Sequence, residues 1–183
     1  EHPKEKVVTF LGRITMQKGP EYFVEAAAKV LQKDGNVHFV IAGSGDMLHG
    51  IIERVVRMGL SSRFHFTGFL KGAVVEKLLR ISDVYVMPSV SEPFGISALE
   101  AVGCNVPVVI SRQSGVSEVV DNALKVDYWD TDAMANNIYS LLNYSGLKKS
   151  ILKGSMEELK HLSWASACEK LKNLYSQLIV DTK

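Results

Sequence analysis

Short unbroken runs of apolar, mostly β-branched residues recur along this chain, and a stretch of helical periodicity follows almost every one. The runs are Val-Val-Thr-Phe-Leu at 7–11, Val-His-Phe-Val-Ile-Ala at 37–42, Arg-Phe-His-Phe-Thr at 63–67, Asp-Val-Tyr-Val-Met at 83–87 and Val-Pro-Val-Val-Ile at 106–110. Leu-Lys-Val at 124–126 reads as a last edge strand. Strands this short and this uniformly apolar are covered on both faces, which is the condition of a parallel sheet. The βαβα order then predicts an α/β fold, a Rossmann-like doubly wound parallel sheet of about six strands with helices on both faces. In such folds a ligand sits beyond the carboxyl ends of the strands. The segments that follow the strands are therefore where function is to be sought.

The helices are marked by their own chemistry. Gly19-Pro20 opens the first, with proline at its first position. Phe23, Ala26, Ala27, Val30 and Leu31 fall on one face. Lys33-Asp34-Gly35-Asn36 ends it, with Gly35 suited to a left-handed cap. Further helices are predicted over 46–58, 73–81, from Gly95 onward, over 116–120, 131–143, 147–160 and 164–179. The last carries Trp164, Cys168, Leu171, Leu174 or Tyr175, and Leu178 on one stripe. That stripe is expected to pack back across the domain or to cover a neighbour that these residues do not include.

At 183 residues the chain reads as a single domain. A formal charge of +1 lacks the basic excess that general nucleic-acid binding requires. No apolar run reaches the roughly 18 residues that span a bilayer, and no secretory signal is visible. Cys104 and Cys168 form no framework and read as small buried residues in a reducing, cytoplasmic compartment. The chain starts at Glu1 rather than at a methionine, and is expected to be a fragment of something longer.

Each loop after a strand allows two readings. Arg13 ends the first strand and Lys18 stands at the amino end of a helix, where the macrodipole disfavours a cation. An anion of phosphate type would reconcile them; two solvated surface cations are the plainer reading. Gly43-Ser44-Gly45-Asp46 follows the second strand. It either lets backbone approach a ligand or makes a tight turn with Asp46 as N-cap. Phe69, after the third strand, suits a flat base or the core. After the fourth strand comes Ser-Glu-Pro-Phe-Gly-Ile-Ser-Ala-Leu-Glu at 91–100. Here Pro93 and Gly95 turn the chain into a helix whose first N–H groups, at Gly95, Ile96 and Ser97, can grip a diphosphate. Glu100 can accept both hydroxyls of a ribose, and Glu92 can bond sugar hydroxyls or brace the loop. Glu100 stands between Ala98-Leu99 and Ala101-Val102, so its helix is expected to be mostly buried and its charge to need a partner. Gly115-Val116-Ser117-Glu118 turns a carboxylate towards the same edge or caps a helix. Asp130-Thr131-Asp132 precedes a helix and reads as its cap and first turn rather than as a metal site. The five histidines show no ligand spacing.

Taken together, Phe-Leu-Gly-Arg-Ile-Thr-Met-Gln-Lys-Gly at 10–19, Phe-Val-Ile-Ala-Gly-Ser-Gly-Asp at 39–46, Phe-His-Phe-Thr-Gly-Phe-Leu at 64–70, Ser-Asp-Val-Tyr-Val-Met-Pro-Ser at 82–89 and the 91–100 segment resemble a known family. The chain resembles the carboxy-terminal, donor-binding half of a GT-B-fold retaining glycosyltransferase of the group 1 class (family GT4), over residues 6–179. Its 91–100 segment is similar to the family's E-x7-E pattern. The resemblance implies a nucleotide-diphosphate sugar donor, no metal or other cofactor, and an acceptor domain supplied by a preceding part of the protein. It assigns Arg13 and Lys18 to the diphosphate, Glu100 to the ribose, and Glu92 with Phe94 and Gly95 to the transferred sugar. Gly12, Gly43, Ile96 and Ser97 would complete the donor contacts, and Leu70 with its loop would face the base. Where the family often has two glycines and a proline, this chain has Ser114-Gly115-Val116-Ser117-Glu118. The rival readings are a non-catalytic nucleotide-sugar binding module, a nucleotide-sugar epimerase on a related fold, and a plain α/β interaction domain.

Overall fold

The alternation of side chains along each strand sorts the core into two layers. In the computed structural model, which describes residues 5–162 and 164–181, β1 (Lys6–Leu11) turns Val8 and Phe10 to one face, and β2 (Val37–Ala42) adds Val37, Phe39 and Ile41 to it. The same layer takes Phe64 and Phe66 of β3 (Phe64–Gly68), Val84 and Val86 of β4 (Val84–Met87) and Val109 of β5 (Val108–Ser111). The intervening positions, Val40 and Ala42, Tyr85 and Met87, Val108 and Ile110, face the other way. With β6 (Leu124–Val126) the sheet has the order β3-β2-β1-β4-β5-β6, and every pairing is parallel.

That order reverses direction between β1 and β4. Because parallel crossovers are right-handed, the reversal puts the helices on opposite faces. Helices α1 (Pro20–Lys33), α2 (Leu48–Arg57) and α5 (Thr131–Asn143) cover the first layer; α3 (Ala73–Ile81) and α4 (Ile96–Gly103) cover the second. Helix α6 (Ser145–His161) joins the two. Leu147 and Ile151 pack on the first layer and Met156 and Leu159 on the second, and Glu158 binds the Asn122 backbone and amide.

The expected elements are present, with local corrections. Helix α1 is closed by Asp34 in an extended conformation (φ −144°), not by a left-handed Gly35. The Asp34 carboxylate accepts from the Asn36 N–H and from the Lys6 ammonium, which fixes the turn without help from glycine and holds its pKa below the ordinary value. Helix α2 starts at Leu48, and Asp46 does not cap it. The helix expected over 116–120 is a single 3-10 turn, Gly115–Glu118. Cys168 is exposed and Cys104 half-buried, so neither is the buried residue expected. Helix α7 (Trp164–Asp181) does not fold its stripe onto the domain: Leu171, Leu174, Tyr175 and Leu178 are all exposed. The side chain of Trp164, which belonged to that expectation, lies outside the described residues, as do the histidine His2 and the start of the chain. Among the described residues no helix is long and apolar enough to cross a membrane.

Candidate functional site

The carboxyl ends of β1, β2 and β3 are laced together through backbone. The Gly12 N–H donates to the Ala42 carbonyl (3.0 Å), the Gly43 N–H to the Gly68 carbonyl (2.8 Å) and the Ile14 N–H to the Ser44 carbonyl (2.9 Å). Gly43 has φ +148°, and a Cβ there would stand 1.8 Å from the Gly12 carbonyl oxygen. Only glycine permits strands this close at their ends. The floor so formed opens into a cleft of about 830 Å³ between α3 and α4, within the range that holds small molecules.

One end of the cleft is basic. Arg13 and Lys18 both line it, beside Gly12 and Gly43. Arg13 is exposed, and no hydrogen-bond or ion-pair partner holds it among the described residues. Lys18 donates to Glu92, and the two side chains are 23% and 11% exposed. The α4 wall contributes Ser97, Glu100 and Cys104, spaced so that one helical face looks into the cleft. Glu100 is exposed and its carboxylate has no hydrogen-bond or ion-pair partner among the described residues. Its helix is buried only on the Ala98, Ala101 and Val102 side, not for the most part as expected, and the described residues do not supply the partner that this charge is expected to need. The third wall is apolar. It holds Leu70, Val75 and Leu79, with Phe69 at its edge, 72% exposed and therefore not a core residue.

Beneath the α4 wall the buried Tyr85 hydroxyl donates to Ser97 Oγ (2.7 Å) and lies 3.2 Å from the Leu11 carbonyl. Burial pushes the Tyr85 phenol well above its ordinary pKa, and the carboxylates of Glu92 and Glu100 push the same way against the Ser97 bond. It is therefore a permanent donor, and it steadies Ser97 from below.

Residues 92–95 form the rim beside the cleft. The Ala98 N–H makes the first backbone bond of α4, to the Gly95 carbonyl (3.1 Å), which leaves the N–H groups of Ile96 and Ser97 at the helix start. Gly95 has φ +105° and is wedged between Met87 and Val116, where a Cβ would meet Met87 Cε at 2.9 Å. The rim is pinned from behind: Gly115 donates to the Glu92 carbonyl (2.9 Å) and Val116 to the Phe94 carbonyl. Thus the 3-10 turn serves through its backbone, while Glu118 stays exposed. Among the described residues, Thr15 Oγ1, Ser89 Oγ and Gln113 Oε1 are buried without a partner, and they belong to the loops after β1, β4 and β5.

Of the residues singled out from sequence, the structure brings Gly12, Arg13, Lys18, Gly43, Leu70, Ser97 and Glu100 into the lining of one cleft. Glu92 joins them through Lys18. Phe94, Gly95 and Ile96 sit on the rim rather than the wall; Phe94 and Ile96 are exposed and Gly95 packs inward. Cys104, Val75, Glu76 and Leu79 were not anticipated. Their signal was helical spacing: Cys104 lies four residues after Glu100, and Val75, Glu76 and Leu79 share one face of α3. Asp130 caps α5 by accepting from the Ala133 N–H (2.9 Å), and Asp132 pairs with Lys29. Among the described residues no group of three or more His, Cys, Asp or Glu is placed to hold a metal ion.

Residues 1–155 match the family described as glycosyl transferases group 1. An uncharacterized glycosyltransferase of Methanocaldococcus jannaschii is 35% identical over 175 residues, which cover 93% of this chain and 45% of the relative. The chain thus spans less than half the length of that relative, and 39% and 46% of two others. A crystal structure of S. aureus TarM in complex with fondaparinux, α-GlcNAc-glycerol and UDP superposes with a TM-score of 0.82 at 25% identity, covering 93% of this chain and 35% of that one. The C-terminal domain of a glycosyl transferase group 1 family protein (LpcC) from Francisella tularensis superposes with a TM-score of 0.79 at 24% identity, and 87% of each chain is covered.

Proposed function

The chain belongs to the group 1 glycosyl transferases, and from that premise we propose that it is the donor-binding half of an enzyme moving a sugar from a nucleotide-diphosphate sugar to an acceptor, with retention of configuration. The observation that carries this reading is the arrangement of one cleft: Arg13 and Lys18 at one end, the start of α4 beside them, and the unpaired carboxylate of Glu100 along the same wall.

Charge explains the fit. A departing nucleoside diphosphate gains negative charge as its bond to the sugar breaks. Cations and helix N–H groups already in place stabilise that charge without reorganising. We assign this work, without a metal, to Arg13, Lys18 and the N–H groups of Ile96 and Ser97; Arg13, Lys18 and Ser97 line the cleft and Ile96 stands on its rim. Glu100 accepts from the ribose hydroxyls, and the apolar wall at Leu70, Val75 and Leu79 takes the base. Glu92, with Phe94 and Gly95 on the rim, faces the transferred sugar. The acceptor site belongs to a further domain, in keeping with a chain that spans less than half of its relatives. The chain alone then binds donor and transfers little or nothing.

Calorimetric titration with UDP, ADP and GDP and their sugars tests the reading and identifies the base. Saturable binding of one series, competed by inorganic pyrophosphate, is the expected result. Absence of binding at millimolar ligand would reduce the chain to a plain α/β interaction domain.

A further inference from the structure

Lys18 and Glu92 are joined by an ion pair, yet the nucleotide-sugar reading sends them to different parts of the donor. Lys18 lines the cleft; Glu92 stands behind it, on the rim. Their side chains are largely withdrawn from water, at 23% and 11% exposure. Both partners are held through their backbones. Glu92 is fixed through its backbone, in a bridge to Ser114 and by the Gly115 N–H bonded to its carbonyl. The Lys18 ammonium ends a flexible four-carbon stem. The Lys18 backbone is held as well, its N–H bonded to the Thr15 carbonyl (3.0 Å), so the difference is one of reach: the ammonium stands on the longer stem and already lines the cleft, and it is the partner placed to swing towards a ligand.

A carboxylate oxygen and a diphosphate oxygen are the same kind of partner for an ammonium. They are also like charges, and a lysine bridging both would hold them within a few ångströms of one another, where they repel. We propose that Glu92 and a diphosphate compete for Lys18, so that a seated diphosphate draws Lys18 off the carboxylate and releases Glu92 Oε2 to the hydroxyl groups of the sugar. Glu92 then couples the two ends of the site: its carboxylate becomes available to the sugar only once the diphosphate is in place. This inference rests on the nucleotide-sugar reading of the cleft.

Inorganic pyrophosphate, titrated calorimetrically into the wild-type chain, Glu92→Gln, Lys18→Ala and the double variant, tests it. Glu92→Gln is expected to bind pyrophosphate about threefold to tenfold more tightly than wild type, the scale of a partly exposed charge pair. That gain should vanish in the Lys18→Ala background. A damaged fold can only weaken binding, so a gain is not a by-product of destabilisation. Glu92→Asp, which keeps the charge but withdraws it by one methylene, should gain less in the same direction. Equal or weaker binding by Glu92→Gln overturns the competition, as does a gain that survives Lys18→Ala, since it would then reflect the general field and not this lysine. Parallel titrations with UDP, ADP and GDP separate the two levels. If the wild type binds a nucleoside diphosphate and Glu92→Gln is no tighter, the competition alone falls; if neither protein binds pyrophosphate or any of the three, the donor reading falls with it.

Discussion

Under α1, α2 and α5 the apolar core is a single layer, threaded by a chain of aromatic rings: Phe10 to Phe23 at 5.7 Å, Phe23 to Phe39 at 5.7 Å, Phe39 to Phe64 at 5.4 Å. On the opposite face the core is divided. A cluster of Tyr85, Met87, Ala98 and Val102 lies beneath α4, a smaller one of Val40, Ala42 and Leu78 lies beside α3, and the cleft opens between those helices. The same strands supply both layers, since alternate residues of β2 and β4 serve opposite faces. The division shows how a doubly wound sheet can hold a large cleft without losing its core: one face is packed without interruption, and the other can part its helices.

The sharpest test of that division is to cut each face once. Phe23 is fully buried and touches three other rings. Phe23→Ala should destabilise the chain by about 3–5 kcal/mol, read from urea unfolding. Leu79 is as deeply buried but borders the open cleft, where the structure can relax and water can enter. Leu79→Ala should cost only about 2 kcal/mol. Equal losses would mean that the two faces carry stability alike, and the contrast would collapse.

Substitutions on the cleft wall should move binding more than folding. Glu100→Gln removes an exposed, unpaired charge, so the melting temperature should stay within about 2 °C. Affinity for a nucleoside diphosphate should fall about tenfold to a hundredfold, the worth of hydrogen bonds to a charged group. Lys18→Ala should weaken binding similarly but lower stability as well, by about 1 kcal/mol, because it leaves the largely buried Glu92 carboxylate without its cation. Adding Glu92→Gln should restore most of that stability. Unfolding of Glu100→Gln would make Glu100 a structural residue and remove it from the donor site.

Much of this division is written in the period of the chain. Unbroken apolar runs such as 37–42 and 83–87 place the strands, and the helical periodicity between them places the helices, because these patterns express burial summed over many residues. Single residues were legible only where one force dominates. Asp130 caps its helix because a carboxylate next to free N–H groups has no better use; Asp46 has the same chemistry but sits one residue before the capping position, which Met47 occupies. The exposure of Glu100 is not legible in its apolar flanks, because neighbours in sequence are not neighbours on a helix. Ala98 and Val102, two positions to either side, lie on the far side of α4, while Ser97 and Cys104 share its face. The stripe on α7 was seen, but an amphipathic period says only that a face is apolar, not what covers it. The Lys18–Glu92 pair, 74 residues apart in sequence, could not be foreseen from local pattern at all.

Tyr85 offers the smallest but most specific test, since it lies where the divided core meets the cleft wall. Its hydroxyl bonds Ser97 above it and reaches the Leu11 carbonyl, so Tyr85→Phe removes these two contacts and little volume. The loss at neutral pH should be about 1 kcal/mol. The pH dependence gives the sign. The phenol ionises near 10 in the unfolded chain, and in the folded protein burial holds it higher. The group's stabilising contribution is therefore complete below about pH 10 and is lost as pH rises further, since the unfolded state releases its proton first. Tyr85→Phe has no such proton to lose. Wild-type stability should fall towards that of the variant above pH 10, by up to about 1.4 kcal/mol per pH unit, with the other tyrosines common to both proteins cancelling in the difference. A gap that stays constant from pH 7 to pH 11 would show that the hydroxyl ionises as easily in the fold as out of it, and that the floor under Ser97 is open to water.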